Sequence, residues 1–201
     1  EGAGTIEFLV DDSLNYYFIE MNTRLQVEHP ITEEVVGVDL VKEQINVANG
    51  LPLRFKQEDI HQRGHAIECR ICAEDADNNF TPAPGIIKQL TEPLGIGVRL
   101  DSFVYDGYEI PMYYDSMIGK LVVWAVNRKY AIERMRRVLY EYKITGVKTN
   151  ISYLRKIIDV PDFVKGRYNT NFLEDNKEYL NGDKKEEGAD VPESENVAII
   201  A

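Results

Sequence analysis

Apolar and polar residues alternate in two short runs near the start of the chain. "TIEFLV" (5–10) reads as a buried strand and "YYFIEMN" (16–22) as a second strand. "DDSLN" (11–15) between them holds turn formers, so the pair predicts a hairpin. Glu7 then lies on the strand beside the one carrying Glu20 and Asn22. Continued through "TRLQVE", the alternation sets Glu20, Asn22, Arg24, Gln26 and Glu28 on one side of an extended chain. Met21, Leu25 and Val27 fall on the other side. His29-Pro30 breaks that run, because the residue before a proline stays extended.

The period then changes. In "DLVKEQINVANG" (39–50), Leu40, Val41, Gln44, Ile45 and Ala48 recur as on a helix, with Asp39 as N-cap and Asn49-Gly50 as a stop. Residues 51–64 are polar and irregular and mark a candidate domain boundary. A β-rich stretch follows: "HAIECRICAE" (65–74), "IIKQL" (86–90), "GVRL" (97–100), "SFVYDGYEI" (102–110) and "SMIGKLVVWAV" (116–126), punctuated by Gly and Pro. It predicts a small antiparallel sheet or barrel-like unit. "RKYAIERMRRVLYEY" (128–142) is an amphipathic helix with Ala131, Ile132, Met135, Val138, Leu139 and Tyr142 on one side. "ITGVKT" (144–149) reads as a short strand, and Asn150 caps a last helix over 150–158. From 181 the chain is charged and poor in apolar residues, which predicts a flexible acidic tail or linker.

Composition sharpens this picture. The 201 residues suffice for one large or two small domains, and a hydrophobic fraction of 44% can build a core. The net charge of −11 argues against nucleic acid as a partner. Nine Asp or Glu against three Lys fall between 174 and 195, so the rest of the chain is only mildly acidic and can hold an anion pocket. No apolar run approaches a membrane span and no secretory signal is present, which makes a reducing cytoplasm the expected location. The opening "EGAGTIEFLV" lacks Met and already reads as a strand, as if cut from a larger protein. Cys69 and Cys72 match C-x-x-C. A zinc site needs about four ligands, however, and strand residues three apart face opposite ways, so both read as packing residues.

The polar face of residues 20–28 has two readings. It can be a solvated strand edge, or a site for a metal and an anion. Glu7, Glu20 and Asn22 offer the hard oxygens that magnesium prefers. Arg24 presents a planar fork suited to bicarbonate, carboxylate or phosphate, Gln26 adds a hydrogen bond, and Glu28 is placed as a general base. Glycines 2 and 4 do not form a phosphate loop, since "GAGT" enters a strand without a following helix or Lys.

The strings "GAGTIEF…FIEMNTRLQVEHPITE", "RGHAIECRI", "GVRLDSFVYDGYEIPMYYDSMIGKL" and "GVKTN" resemble, in this order, the biotin carboxylase component of biotin-dependent carboxylases, within the ATP-grasp superfamily. The resemblance runs from about residue 1 to 180. Carbamoyl-phosphate synthetase shares Glu-x-Asn at 20 and 22 but departs after the Asn. The resemblance implies an α+β fold: the C-terminal portion of an ATP-grasp domain (1–58), a mainly antiparallel biotin carboxylase C-terminal domain (59–180) and the tail (181–201). It implies ATP with Mg2+ or Mn2+ at Glu7 and Glu20, a second metal at Asn22, and bicarbonate on Arg24, Gln26 and the backbone of Val27. Glu28 would deprotonate bicarbonate on the way to carboxyphosphate, and Arg99 would contact biotin and stabilise its enolate oxygen. The implied partners are a biotin carboxyl carrier protein or domain, a carboxyltransferase subunit or domain, and a second copy in a homodimer; neither nucleic acid nor membrane is expected. The family's Gly-rich lid and ATP-contacting lysines lie upstream of these strings, so the 201 residues alone are expected to show no useful turnover. Two rivals stand beside this reading: another ATP-grasp carboxylate–amine ligase, and a non-catalytic dimerisation unit.

Overall fold

The computed structural model describes residues 1–182. The acidic tail expected from 181 therefore lies almost wholly outside the described residues.

The hairpin forms as predicted. Thr5–Val10 (β1) pairs antiparallel with Tyr16–Asn22 (β2), and Glu7 sits directly opposite Glu20. The turn is closed by Asp11, whose carboxylate accepts the backbone N–H groups of Ser13 and Asn15, both at 2.9 Å. The expectation that 5–10 is buried is not met. Phe8, Leu9, Val10, Tyr17, Phe18 and Ile19 are all exposed, and the half-buried members of the hairpin are Glu7 and Asn22.

Pro30 starts a helix rather than prolonging an extended segment. His29–Val36 (α1) carries it in the first turn, where a proline costs no hydrogen bond and its fixed φ suits the helix. Gly37, at φ 73°, ends α1 in the left-handed conformation that glycine adopts without strain. Leu40–Ala48 (α2) begins as expected, with Asp39 accepting from the Lys42 N–H. Its buried residue is Glu43, held by Arg54 Nε at 2.7 Å, while Val41 and Ile45 face outward.

The centre of the molecule is a sheet. His65–Cys72 (β3) is followed by the two-residue ladders Glu74–Asp75 (β4), Thr81–Pro82 (β5) and Gly85–Ile86 (β6), and by Gln89–Thr91 (β7). Val98–Ser102 (β8), Glu109–Ile110 (β9) and Met117–Ala125 (β10) come next. β10 lies between β3 and β8, antiparallel to both. The strand expected over 102–110 is mostly a turn, with Gly107 at φ 88° and Asp106 accepting the Leu90 N–H at 2.6 Å.

Arg128–Glu141 (α3) lays Ala131, Ile132, Met135, Val138 and Leu139 against one face of this sheet, where Ile67, Cys69, Ile71, Leu121 and Val123 complete the core. Lys143–Thr145 (β11) pairs with β7, shorter than expected because Gly146 turns away at φ 96°. Ile151–Asp159 (α4) packs on α3, and the short helices Pro161–Lys165 (α5), Phe172–Asp175 (α6) and Lys177–Asn181 (α7) finish the described chain. Asn150 precedes α4 but its side chain does not cap it. It accepts from the Cys72 N–H at 2.9 Å and donates to the Arg70 carbonyl at 3.0 Å, which closes the end of β3.

The second face of the sheet is charged. Strand alternation turns Glu68 and Arg70 of β3, Lys120 and Val122 of β10, and Arg99 and Asp101 of β8 to the side opposite the core. Cross-strand register sets Lys120 beside both Arg70 and Asp101. Helix α1 and the turn before it cover this face, with α1 lying across β3 and β10.

Candidate active site

Two clusters meet at the turn 23–28. In the first, Glu7 and Glu20 face each other across the hairpin. Asn22 donates to Glu7 Oε1 at 2.8 Å and to Glu20 Oε1 at 3.1 Å, and Gln26 Nε2 reaches the same Glu7 oxygen at 2.9 Å. Four of the sequence-predicted residues thus converge. Gln26 arrives by a different route from the one expected: β2 ends at Asn22, the chain turns, and the extended alternation through Glu28 does not form.

The second cluster lies where the turn meets the charged face of the sheet. Glu28 Oε2 accepts from Arg70 Nη2 at 2.7 Å, with both side chains about half exposed. Lys120, largely buried, donates to the Val27 carbonyl at 3.2 Å. Glu68 shares this neighbourhood. Burial pushes its carboxyl above the usual carboxylate range, against the pull of Lys120 and Arg70. Arg24 lies at the surface, and its Nη1 donates to the Leu25 carbonyl at 3.3 Å.

Arg99 is not the arginine at the base. Its guanidinium forks onto Asp101 at 2.8 and 2.9 Å and reaches Glu33 Oε2 at 2.7 Å. Asp101, and after it Glu33, hold its proton more tightly than usual, and the same fork holds the Asp101 carboxyl below its ordinary range. Three carboxylates, counting Glu34 at 3.7 Å, orient this guanidinium, which also lines a cavity with Val38 and Val41. The arginine facing Glu28 is Arg70, which is not among the residues expected from the sequence. A signal for it exists: Glu68 and Arg70 form the polar side of "HAIECRIC", with Ile67, Cys69 and Ile71 inside.

The cysteines offer no reactive thiolate. Burial pushes Cys69 up to about 12 and Cys72 to about 11.

The acidic pair suits a hard divalent cation. Among the described residues no three His, Cys, Asp or Glu close on one point. Two carboxylates and the Asn22 amide would leave most of a magnesium shell to water and phosphate oxygens, which is how that ion is commonly shared with nucleotides. The amides of Asn22 and Gln26 now offset the carboxylate charge that a cation would neutralise.

Two family models match the chain. Residues 1–56 match the ATP-binding domain of the carbamoyl-phosphate synthase L chain. Residues 68–175, more than half the chain, match the biotin carboxylase C-terminal domain. The chain belongs to the biotin carboxylase family. It is 56% identical over 174 residues to the biotin carboxylase of Nostoc sp., covering 87% of this chain and 39% of that protein. It is 54% identical over 174 residues to biotin carboxylase 1 of Bacillus subtilis, covering 86% and 39%. Its fold matches the biotin carboxylase domain dimer of Hydrogenobacter thermophilus 2-oxoglutarate carboxylase, a structure with MgADP, ADP and bicarbonate. That match has a TM-score of 0.87 at 49% identity, over 89% of this chain and 40% of that one. The chain thus spans about two fifths of the length of such relatives. The biotin carboxylase C-terminal domain accounts for the sheet and α3. The carbamoyl-phosphate synthase match covers the hairpin, α1 and α2. Among the described residues no helix is long and apolar enough to cross a membrane.

Proposed function

We propose that this chain forms part of a biotin carboxylase that uses ATP and bicarbonate to carboxylate biotin on a carrier protein or domain, in the cytoplasm. Residues 1–58 would contribute the end of the ATP-grasp domain and residues 59–180 the C-terminal domain. The observation that carries this reading is the turn 23–28. At one end Gln26 joins Glu7, Glu20 and Asn22, and at the other Glu28 meets Arg70 while Lys120 holds the Val27 carbonyl.

Glu7 and Glu20 would hold magnesium or manganese, with Asn22 serving a second ion; the metal supplies charge neutralisation at the ATP phosphates. Arg24, Gln26 and the Val27 backbone N–H would hold bicarbonate. Arg24 is exposed and, among the described residues, bonded only to a carbonyl, so its fork is free to take the anion. Glu28 would remove the bicarbonate proton. The freed oxygen attacks the γ-phosphorus, the bond to ADP breaks, and carboxyphosphate forms. Carboxyphosphate then breaks into CO2 and phosphate, phosphate takes the N1 proton of biotin, and N1 bonds to CO2.

The negative oxygen that develops on the biotin ureido group needs a fixed cation. Arg99 would supply it: its guanidinium keeps its charge and lines a cavity with Glu33, Glu34 and Val41. Asp101 and Glu33 orient its fork, and Arg70, paired with Glu28 at 2.7 Å, is a second cation beside the base. A carboxyltransferase subunit or domain would use the product, and pairing of two copies is proposed from the dimeric relative.

The test is a full-length chain containing these residues, assayed for bicarbonate-dependent ATP hydrolysis with and without biotin. Stimulation by biotin is expected, and Glu28→Gln should lower turnover on the order of 10²–10⁴-fold, the usual worth of a general base. Bicarbonate-driven activity indifferent to biotin would support another carboxylate–amine ligase instead.

A further inference from the structure

The turn that would hold bicarbonate is clamped by its own carbonyls. Consecutive peptide oxygens, those of Gln26 and Val27, each accept from a side chain outside the turn's hairpin. His29 Nδ1–H donates to Gln26 O at 2.8 Å, and Lys120 Nζ donates to Val27 O at 3.2 Å. A peptide group is rigid and planar, so fixing its oxygen aims its N–H in the opposite direction. Holding Gln26 O therefore orients the Val27 N–H, and holding Val27 O orients the Glu28 N–H and the root of the Glu28 side chain.

The two donors are joined behind the turn. Lys120 Nζ lies 3.4 Å from Asp101 Oδ2. Asp101 receives the Arg99 fork, Arg99 reaches Glu33 Oε2 at 2.7 Å, and that oxygen lies 3.8 Å from His29 Nε2. Glu33 is buried and its other oxygen accepts the Leu40 N–H at 2.7 Å, which ties the arrangement to the start of α2. The circuit runs from Val27 O through five side chains back to Gln26 O. The proposed bicarbonate contacts at Arg24, Gln26 and Val27 all sit on the segment it immobilises.

We propose that Lys120, Asp101, Glu33 and His29, joined through Arg99, are positioning residues that hold the turn 24–28 in the geometry for binding and deprotonating bicarbonate. This rests on the carboxylase reading above. None of these four needs to touch the substrate. They act through two peptide planes, and their effect falls on bicarbonate before ATP, because Glu7 and Glu20 are set opposite each other by the β1–β2 ladder and bridged by Asn22, outside the turn.

Asp101→Asn separates positioning from simple charge. It keeps the shape of the side chain and removes one negative charge near an anion site. On charge alone, bicarbonate should bind more tightly. If Asp101 positions Lys120, bicarbonate should bind more weakly. In the full-length enzyme we expect Asp101→Asn and Lys120→Met each to raise the KM for bicarbonate about tenfold, with the KM for ATP within about twofold of wild type. Lys120→Arg, which keeps a cationic donor, should restore most of the loss. Peptide-level hydrogen exchange over 24–29 should be faster in Asp101→Asn, a readout that needs no turnover.

Thermal melting identifies a variant that fails to fold; should Lys120→Met do so, Asp101→Asn carries the test. An unchanged or lowered KM for bicarbonate in a folded Asp101→Asn, or equal losses for ATP and bicarbonate, overturns the proposal. Wild-type enzyme without bicarbonate-dependent ATP hydrolysis overturns the carboxylase reading instead, and the exchange measurement still decides whether the circuit holds the turn.

Discussion

Glu68 and Asp101 lie on the same face of the sheet and titrate in opposite senses. Burial raises the Glu68 carboxyl, and one of its oxygens, buried, finds no hydrogen-bond partner among the described residues. Its folded pKa exceeds its unfolded value, so the folded state loses stability as pH rises from the ordinary carboxylate range through the raised value. Glu68→Gln removes that cost. The variant should melt near wild type at about pH 4 and above it at pH 7, measured as paired thermal midpoints. A Gln variant that loses stability relative to wild type as pH rises would mean that attraction to Lys120 and Arg70 outweighs burial. Asp101 is held low by the Arg99 fork, so its contribution is present above the ordinary aspartate range and is lost as pH falls through its depressed value. Neither sense is legible in the sequence. Alternation along "HAIECRIC" and "GVRLDS" marks which side chains share a face, but which arginine stands beside Glu28 depends on where the turn 23–28 docks. Local periodicity carries no information about that contact between residues 42 apart, and so it does not single out Arg70.

At the scale of elements, the strongly periodic segments are legible and the junctions are not. β3, β10 and α3 emerge within a residue or two of their predicted ranges, because each has one face that must be buried. Helix α1 escapes a reading of Pro30 as a breaker, although a proline at the first turn is also a start signal. Asn150 is the instructive junction. Its place before α4 reads as a cap, yet its amide clamps Cys72 N–H and Arg70 C=O on β3. Substitution tells the two roles apart. Asn150→Ala should cost about 1–3 kcal/mol in denaturant unfolding, since it orphans two backbone groups at a nearly buried position. Asn150→Asp should be similarly costly, because a carboxylate would face the Arg70 carbonyl with no proton to donate. A helix cap would tolerate Asp as well as Asn, so an Asp variant of wild-type stability would return Asn150 to the capping role.

The whole molecule is unevenly anchored. The sheet and α3 enclose a continuous core, whereas the β1–β2 hairpin exposes its apolar side chains on both faces and is supported mainly by its own ladder and by edge-to-face contacts of Phe8 with Tyr16 and Phe18. A two-stranded hairpin in water is marginal, and such pairs of rings add only about 0.5–1.5 kcal/mol each. An exposed surface of this size normally marks something that covers it, and the chain spans about two fifths of the length of its relatives. In the 201-residue chain, amides of Thr5–Val10 and Tyr16–Asn22 should therefore exchange with solvent far faster than those of β10, whose opening requires the core to come apart. In a full-length chain the same hairpin amides should slow toward the β10 rate. Equal protection of hairpin and β10 in the short chain would show that the hairpin is stable without a cover. The consequence reaches the chemistry. Glu7, Glu20 and Asn22 sit on the least anchored element, while Glu28, Arg70 and Lys120 sit where the turn meets the sheet. Loss of the cover should thus weaken the nucleotide end of the proposed site first and leave the bicarbonate end, braced from the sheet, close to its working geometry.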